Sequence, residues 1–121
     1  MLNQASISLL LGVASLTNAQ SCGGGGSFTV NNVQENFGSL SLQPRSASLF
    51  HQGNAQICIV NRAPNTVVTI SGTQINGAIS AVLNKCCTNA GNCGGGQQKI
   101  TGPNGNVIDL SVQAQGQNCT P

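Results

Sequence analysis

The sequence contains no tryptophan and no tyrosine, and its only aromatic residues are Phe28, Phe37 and Phe50. Sugar sites and single-stranded nucleic-acid sites both lean on exposed aromatic platforms, so this chain lacks the usual means for either. Charge is equally scarce: Asp, Glu, Lys and Arg make up 5% of the residues, against ~25% in typical soluble proteins. The charged residues are Glu35, Asp109, Arg45, Arg62, Lys85 and Lys99, with His51 as the lone histidine. A net charge of +2, scattered along the chain, gives no nucleic-acid footprint. There is no CxxC pair, and zinc sites normally draw on Cys and His at two- to four-residue spacings, so neither a metal nor another cofactor is expected. No apolar run reaches the roughly 20 residues that a membrane-spanning helix needs.

What the chain does have is a leader-like start and six cysteines. Ile7 to Leu16 is mostly apolar and fits the core of a secretory signal, although no Lys or Arg precedes it. Thr17 and Ala19 are small residues at the −3 and −1 positions of a cut before Gln20. The reading is therefore a signal peptide over 1–19, one domain over 20–121, and a secreted, extracellular product. Cys22, Cys58, Cys86, Cys87, Cys93 and Cys119 all follow the cut. In an oxidising compartment they form a disulfide framework with 15 possible connectivities. Asn, Gln, Ser, Thr and Gly supply the solubility that charge does not.

Period-2 and period-3.6 patterns divide the rest of the chain. Gly23 to Gly26 reads as a flexible tether. Phe28, Val30 and Val33 read as a first strand, Leu40 and Leu42 as a second that Pro44 ends, and Ser48 to Phe50 as a further short piece. Gln56 to Val60 is β-branched and apolar, fits a central strand, and carries Cys58 into the core. Thr66 to Ile70 reads as its hairpin partner across a turn at Asn61 to Asn65. Ile75, Ile79, Val82, Leu83 and Cys86 then mark one face of an amphipathic helix, with Ser71 or Thr73 as its cap and Gly91 after its end. Cys87 is rotated ~100° from Cys86 on that helix, so the two neighbours reach different partners. Gly94 to Gly96 is a second glycine run. Gly102 to Gly105 turns a closing hairpin, with Ile108, Leu110 and Val112 facing the core and Asp109 and Ser111 facing out. The expected fold class is α+β: an antiparallel sheet with one main amphipathic helix packed on one face, stapled by disulfides.

The lead Ile70-Ser71-Gly72 into that helix, a cysteine at its end, a glycine-rich loop, a hairpin and a terminal cysteine resemble small secreted fungal cysteine-rich proteins. These are the killer toxins and the effectors that share an α/β sandwich with them. The resemblance runs from Ile70 to Cys119, about half of the mature domain. It implies a secreted effector or antimicrobial protein, and it brings no catalytic or binding residue with it. The lysine-centred loop of the toxins has no counterpart. Hydrophobins are also small, charge-poor and rich in Cys-Cys pairs, but they carry eight cysteines with two such pairs, where this chain has six with one.

The chemistry-bearing residues give a thin case for catalysis, and no enzyme activity is expected. Glu35, His51, Arg45 and Arg62 are the residue types of a ribonuclease set, but the tyrosine and second histidine of fungal ribonucleases are missing. His51 reads as a loop bystander. Asp109 reads as a solvated edge charge and forms no glycosidase pair with Glu35. Asn118-Cys119-Thr120 matches the N-glycosylation pattern, although a bridged Cys119 and the following Pro121 oppose its use. The sequence thus points to a binding protein for an extracellular protein, a cell-wall component or a glycan, with its glycine loops as adaptable surface. A surface-active cell-wall coat protein and a small secreted ribonuclease are the alternatives.

Overall fold

A computed structural model describes residues 21–23, 26–87 and 91–121. The signal-peptide reading and the centre of the first glycine run lie outside them. The described elements are β1 (Ser21–Cys22), β2 (Phe28–Thr29), β3 (Leu40–Leu42), β4 (Ser46–Gln52), β5 (Ala55–Asn61), β6 (Val68–Ile70), α1 (Gly72–Cys86), β7 (Asn92–Cys93), β8 (Gly96–Thr101) and β9 (Val107–Ala114). The fold is mixed: antiparallel sheets, one described helix and three disulfides, with strand outweighing helix.

The main sheet has the order β1-β8-β9-β5-β4, every pair antiparallel. Alternation along each strand sorts the side chains. Ala55, Ile57 and Ile59, Ile100, and Ile108, Leu110 and Val112 face inward and are buried. Ile75, Ala78, Ile79 and Val82 of α1 pack on them, and Phe28, Leu42, Val68 and Ile70 complete the core. Each of the Ile, Leu, Val and Phe side chains among them contributes about 1.5–3 kcal/mol by leaving water. Helix α1 starts in a capping box: Ser71 Oγ accepts from Gln74 N–H at 3.1 Å, and Gln74 Oε1 accepts from Ser71 N–H at 3.1 Å. Gln74 also donates to Thr101 O at 3.1 Å, which ties the helix start to the end of β8.

Three sequence expectations need correction. The first strand stops after Thr29, and Val30–Asn32 form a 3-10 turn instead. Thr66 to Ile70 is not the hairpin partner of Gln56 to Val60; β6 pairs with β3, Leu40 opposite Ile70. The hairpin partner of β5 is β4, joined through Gly53 and Asn54, with Gln52 opposite Ala55. Gly53 takes φ 63°, the left-handed conformation that a two-residue hairpin of this kind requires at its first central position. His51 consequently sits on a strand, not in a loop.

The glycine run at Gly94 to Gly96 is packed, not adaptable. Gly95 and Gly96 are buried. A β-carbon on Gly96 would stand 2.7 Å from Cys86 Sγ, and one on Gly95 would run into Val112 O. These glycines let β1 and the helix-end disulfide approach the sheet.

Candidate functional site

The six cysteines pair as Cys22–Cys86, Cys58–Cys119 and Cys87–Cys93, with none free. Cys86 and Cys87 do reach different partners. Cys22–Cys86 ties β1 to the end of α1, and Cys87–Cys93 closes the loop between α1 and β7. Cys58 is buried, but by alternation it points away from the helix, onto the outer face of the sheet. There it holds Cys119 and with it the C-terminal segment. Gln56 reinforces the same junction: its Nε2 donates to Gln117 O at 2.9 Å and Gln113 Oε1 at 2.6 Å, and its Oε1 accepts from Gly116 N–H at 3.3 Å. The tail thereby covers the half of the outer face nearest the β4–β5 hairpin.

The other half carries charge. Lys99 and Asp109 stand opposite each other on β8 and β9, and Lys99 Nζ is 2.6 Å from Asp109 Oδ1. Arg62, just beyond the end of β5, pairs through its guanidinium with Asp109 Oδ2. Asp109 does face outward, as its position in the alternation requires. It is not a solvated edge charge, however: β9 is the central strand, and the residue is 6% exposed beneath its two cations. Both carboxylate oxygens are occupied, while the Arg62 and Lys99 side chains keep 54% and 37% of their exposure. A guanidinium has five N–H donors and an ammonium three, so both retain donors for something outside.

Arg45 joins them from the turn before β4. Its N–H donates to Ala63 O at 3.1 Å, one step past the Ser46–Asn61 pair, which sets the Arg45 backbone beside that of Arg62. Its φ is 53°, in the left-handed region where a non-glycine residue costs about 1–2 kcal/mol. Pro44 precedes it, so the pair has the form of a turn with positive φ at its second central residue. Behind it, Asn61 fixes the corner from the buried side. Its Nδ2 donates to Leu42 O, Gln43 O and Thr66 O at 2.9–3.1 Å, and its Oδ1 accepts from Ala63 N–H at 3.0 Å.

The corner thus holds three cations and one carboxylate, a net +2, which equals the formal charge of the whole chain because Lys85 and Glu35 cancel elsewhere. Sequence reading found these charges scattered, and so they are along the chain; strand pairing gathers them. The signal available beforehand was spacing alone: Lys99 and Asp109 each lie five residues from Asn104, within the turn of the closing hairpin.

The ribonuclease-like set is not assembled. Gln34 N–H, next to Glu35, donates to Gln52 Oε1 at 2.9 Å, so Glu35 lies at the hairpin end, near His51. Arg45 and Arg62 lie at the opposite end of β4 and β5. Six residues of strand separate Arg45 from His51, about 20 Å. Among the described residues no cluster of His, Cys, Asp and Glu suits a metal ion, and no helix is long and apolar enough to cross a membrane. Comparison with protein-family models, curated proteins and solved structures finds no significant match to this chain.

Proposed function

We propose that this chain is a secreted, cysteine-rich effector or antimicrobial protein of the killer-toxin-like fungal kind, acting by binding rather than catalysis. Its target is an acidic group on extracellular material, a carboxylated cell-wall glycan, met by Arg45, Arg62 and Lys99. The observation that carries this reading is the concentration of the entire net charge at one corner. That corner is held by paired strands, by Asp109 beneath the cations and by Asn61 behind them. A carboxylate suits the free donors of a guanidinium. Two net charges suit a nucleic acid poorly, and without an aromatic platform a glycan is met through its carboxylates rather than its ring faces. The disulfides suit a protein that works among extracellular proteases.

The test is retention of oxidised protein on polygalacturonate, with a neutral β-glucan as control. Retention on the acidic polymer alone, weakening with salt, is expected. Arg45→Gly is the informative variant, since glycine relieves the left-handed strain. It should fold at least as stably as the parent and bind several-fold more weakly, and Arg45→Gly combined with Lys99→Gln should abolish retention. Undiminished retention of the double variant, or equal retention on the neutral polymer, refutes the proposal.

A further inference from the structure

The two edges of the main sheet are unlike. One is β1, two residues long, which offers little to pair with. The other is β4, seven residues with the sequence Ser-Ala-Ser-Leu-Phe-His-Gln. Natural edge strands are protected by lysine, proline, bulges, inward charges or a covering segment. Strand β4 has no Lys, Glu, Asp or Pro. Its register with β5 runs unbroken from Ser46–Asn61 to Gln52–Ala55, so it has no bulge. Among the described residues no strand pairs with its outer side.

The hydrogen-bond phase identifies which groups are left. Gln115 N–H donates to Asn54 O in register with the β5–β9 ladder, where Ala55 faces Ala114. Even-numbered residues of β5 therefore bond to β9, and odd-numbered residues bond to β4. Their partners on β4 are Ser46, Ser48, Phe50 and Gln52. The N–H and C=O groups of Ala47, Leu49 and His51 point the other way, with no main-chain partner among the described residues. Leu49 between them is 43% exposed.

We infer that β4 pairs with β4 of a second copy of this chain, antiparallel about a two-fold axis at Leu49. Leu49 then meets Leu49, and Ala47 of each copy meets His51 of the other, giving about six main-chain bonds across the axis. A second copy is favoured by self-complementarity. An isologous contact sets each residue against its mirror position, and β4 carries no carboxylate, Lys or Arg to repel its like. Recognition of a foreign strand takes its specificity from side-chain pockets along the edge, and the side chains on the outer face of this edge are Ala47, Leu49 and His51. Residues directly opposite share a face, so the joined sheets keep a common outer face. The two Arg45 residues then lie about 27 Å apart on it, too far to repel strongly.

Sedimentation equilibrium of oxidised protein between about 1 µM and 1 mM tests this. A concentration-dependent dimer is expected. Leu49→Lys, which opposes two ammonium groups at the axis, should raise its dissociation constant about tenfold or more, while Val67→Lys, at an equally exposed apolar residue elsewhere, should leave it unchanged. Amide exchange of the parent should slow at Ala47, Leu49 and His51 as concentration rises, a readout independent of whether Leu49→Lys folds. A monomer throughout the range, a dimer without protection at those amides, or equal loss in Val67→Lys would overturn the inference.

Discussion

Asn61 shows how one side chain can organise a corner. It is fully buried, and its amide satisfies three carbonyls and one N–H drawn from the end of β3, the turn after β5 and the approach to β6. Asn61→Leu keeps the branched shape and the number of side-chain heavy atoms and removes every one of those bonds. Buried groups left without partners carry the full cost of desolvation, so the variant should lose about 2–4 kcal/mol. The midpoint of urea unfolding measures it, and an unchanged midpoint would show that the corner does not depend on the amide. The sequence hides this role, because Asn61 stands where a turn was expected and turn asparagines are ordinarily solvated. Asp109 was legible in direction and not in surroundings. Alternation gives its face, but only pairing with β8 and the return of Arg62 bury it.

At the scale of elements, the helix was the most legible part, since its period, cap and cysteine phase are local. Helix α1 also carries an evident weakness. Gly77 sits in its interior, and a β-carbon there would meet nothing within 4 Å. Gly77→Ala should raise stability by about 0.5–1 kcal/mol, seen as a higher denaturation midpoint at unchanged binding. The closing hairpin was legible for the same reason, through the apolar alternation of β9. The β3–β6 ladder was not: its strands have three residues each and lie about 25 residues apart in the chain, beyond any local pattern. The β4–β5 hairpin has a turn dipeptide, Gly53-Asn54, yet Gln56 to Val60 reads as the partner of Thr66 to Ile70 instead. It was obscured because β4 is polar, with serines facing inward where apolar residues normally mark a strand.

For the whole molecule, the disulfides rank by the length of chain they close. Cys22–Cys86 and Cys58–Cys119 span 64 and 61 residues, and Cys87–Cys93 spans 6. In the chain-entropy description, each long bridge contributes about 4 kcal/mol and the short one about 2. Replacing Cys87 and Cys93 by alanine should therefore cost roughly half as much stability as replacing Cys58 and Cys119, by guanidinium titration of the two double variants. Equal losses would place the value of these bridges in local packing instead. For a domain of this size, with a modest core, either long bridge is comparable to the whole margin of stability.

The route of the Cys58–Cys119 bridge also sets a timetable. Of the six thiols, Cys119 emerges last from the ribosome, and its mate Cys58 has by then been available for some 60 residues of synthesis. The other two bonds need nothing beyond Cys93. The helix-bearing side can therefore be sealed first, while Gln56 and its neighbours stay uncovered until Cys119 joins Cys58. Until then Cys58 is open to mispairing with Cys86 or Cys87, so oxidative refolding of the reduced chain should run faster with a thiol-exchange catalyst present.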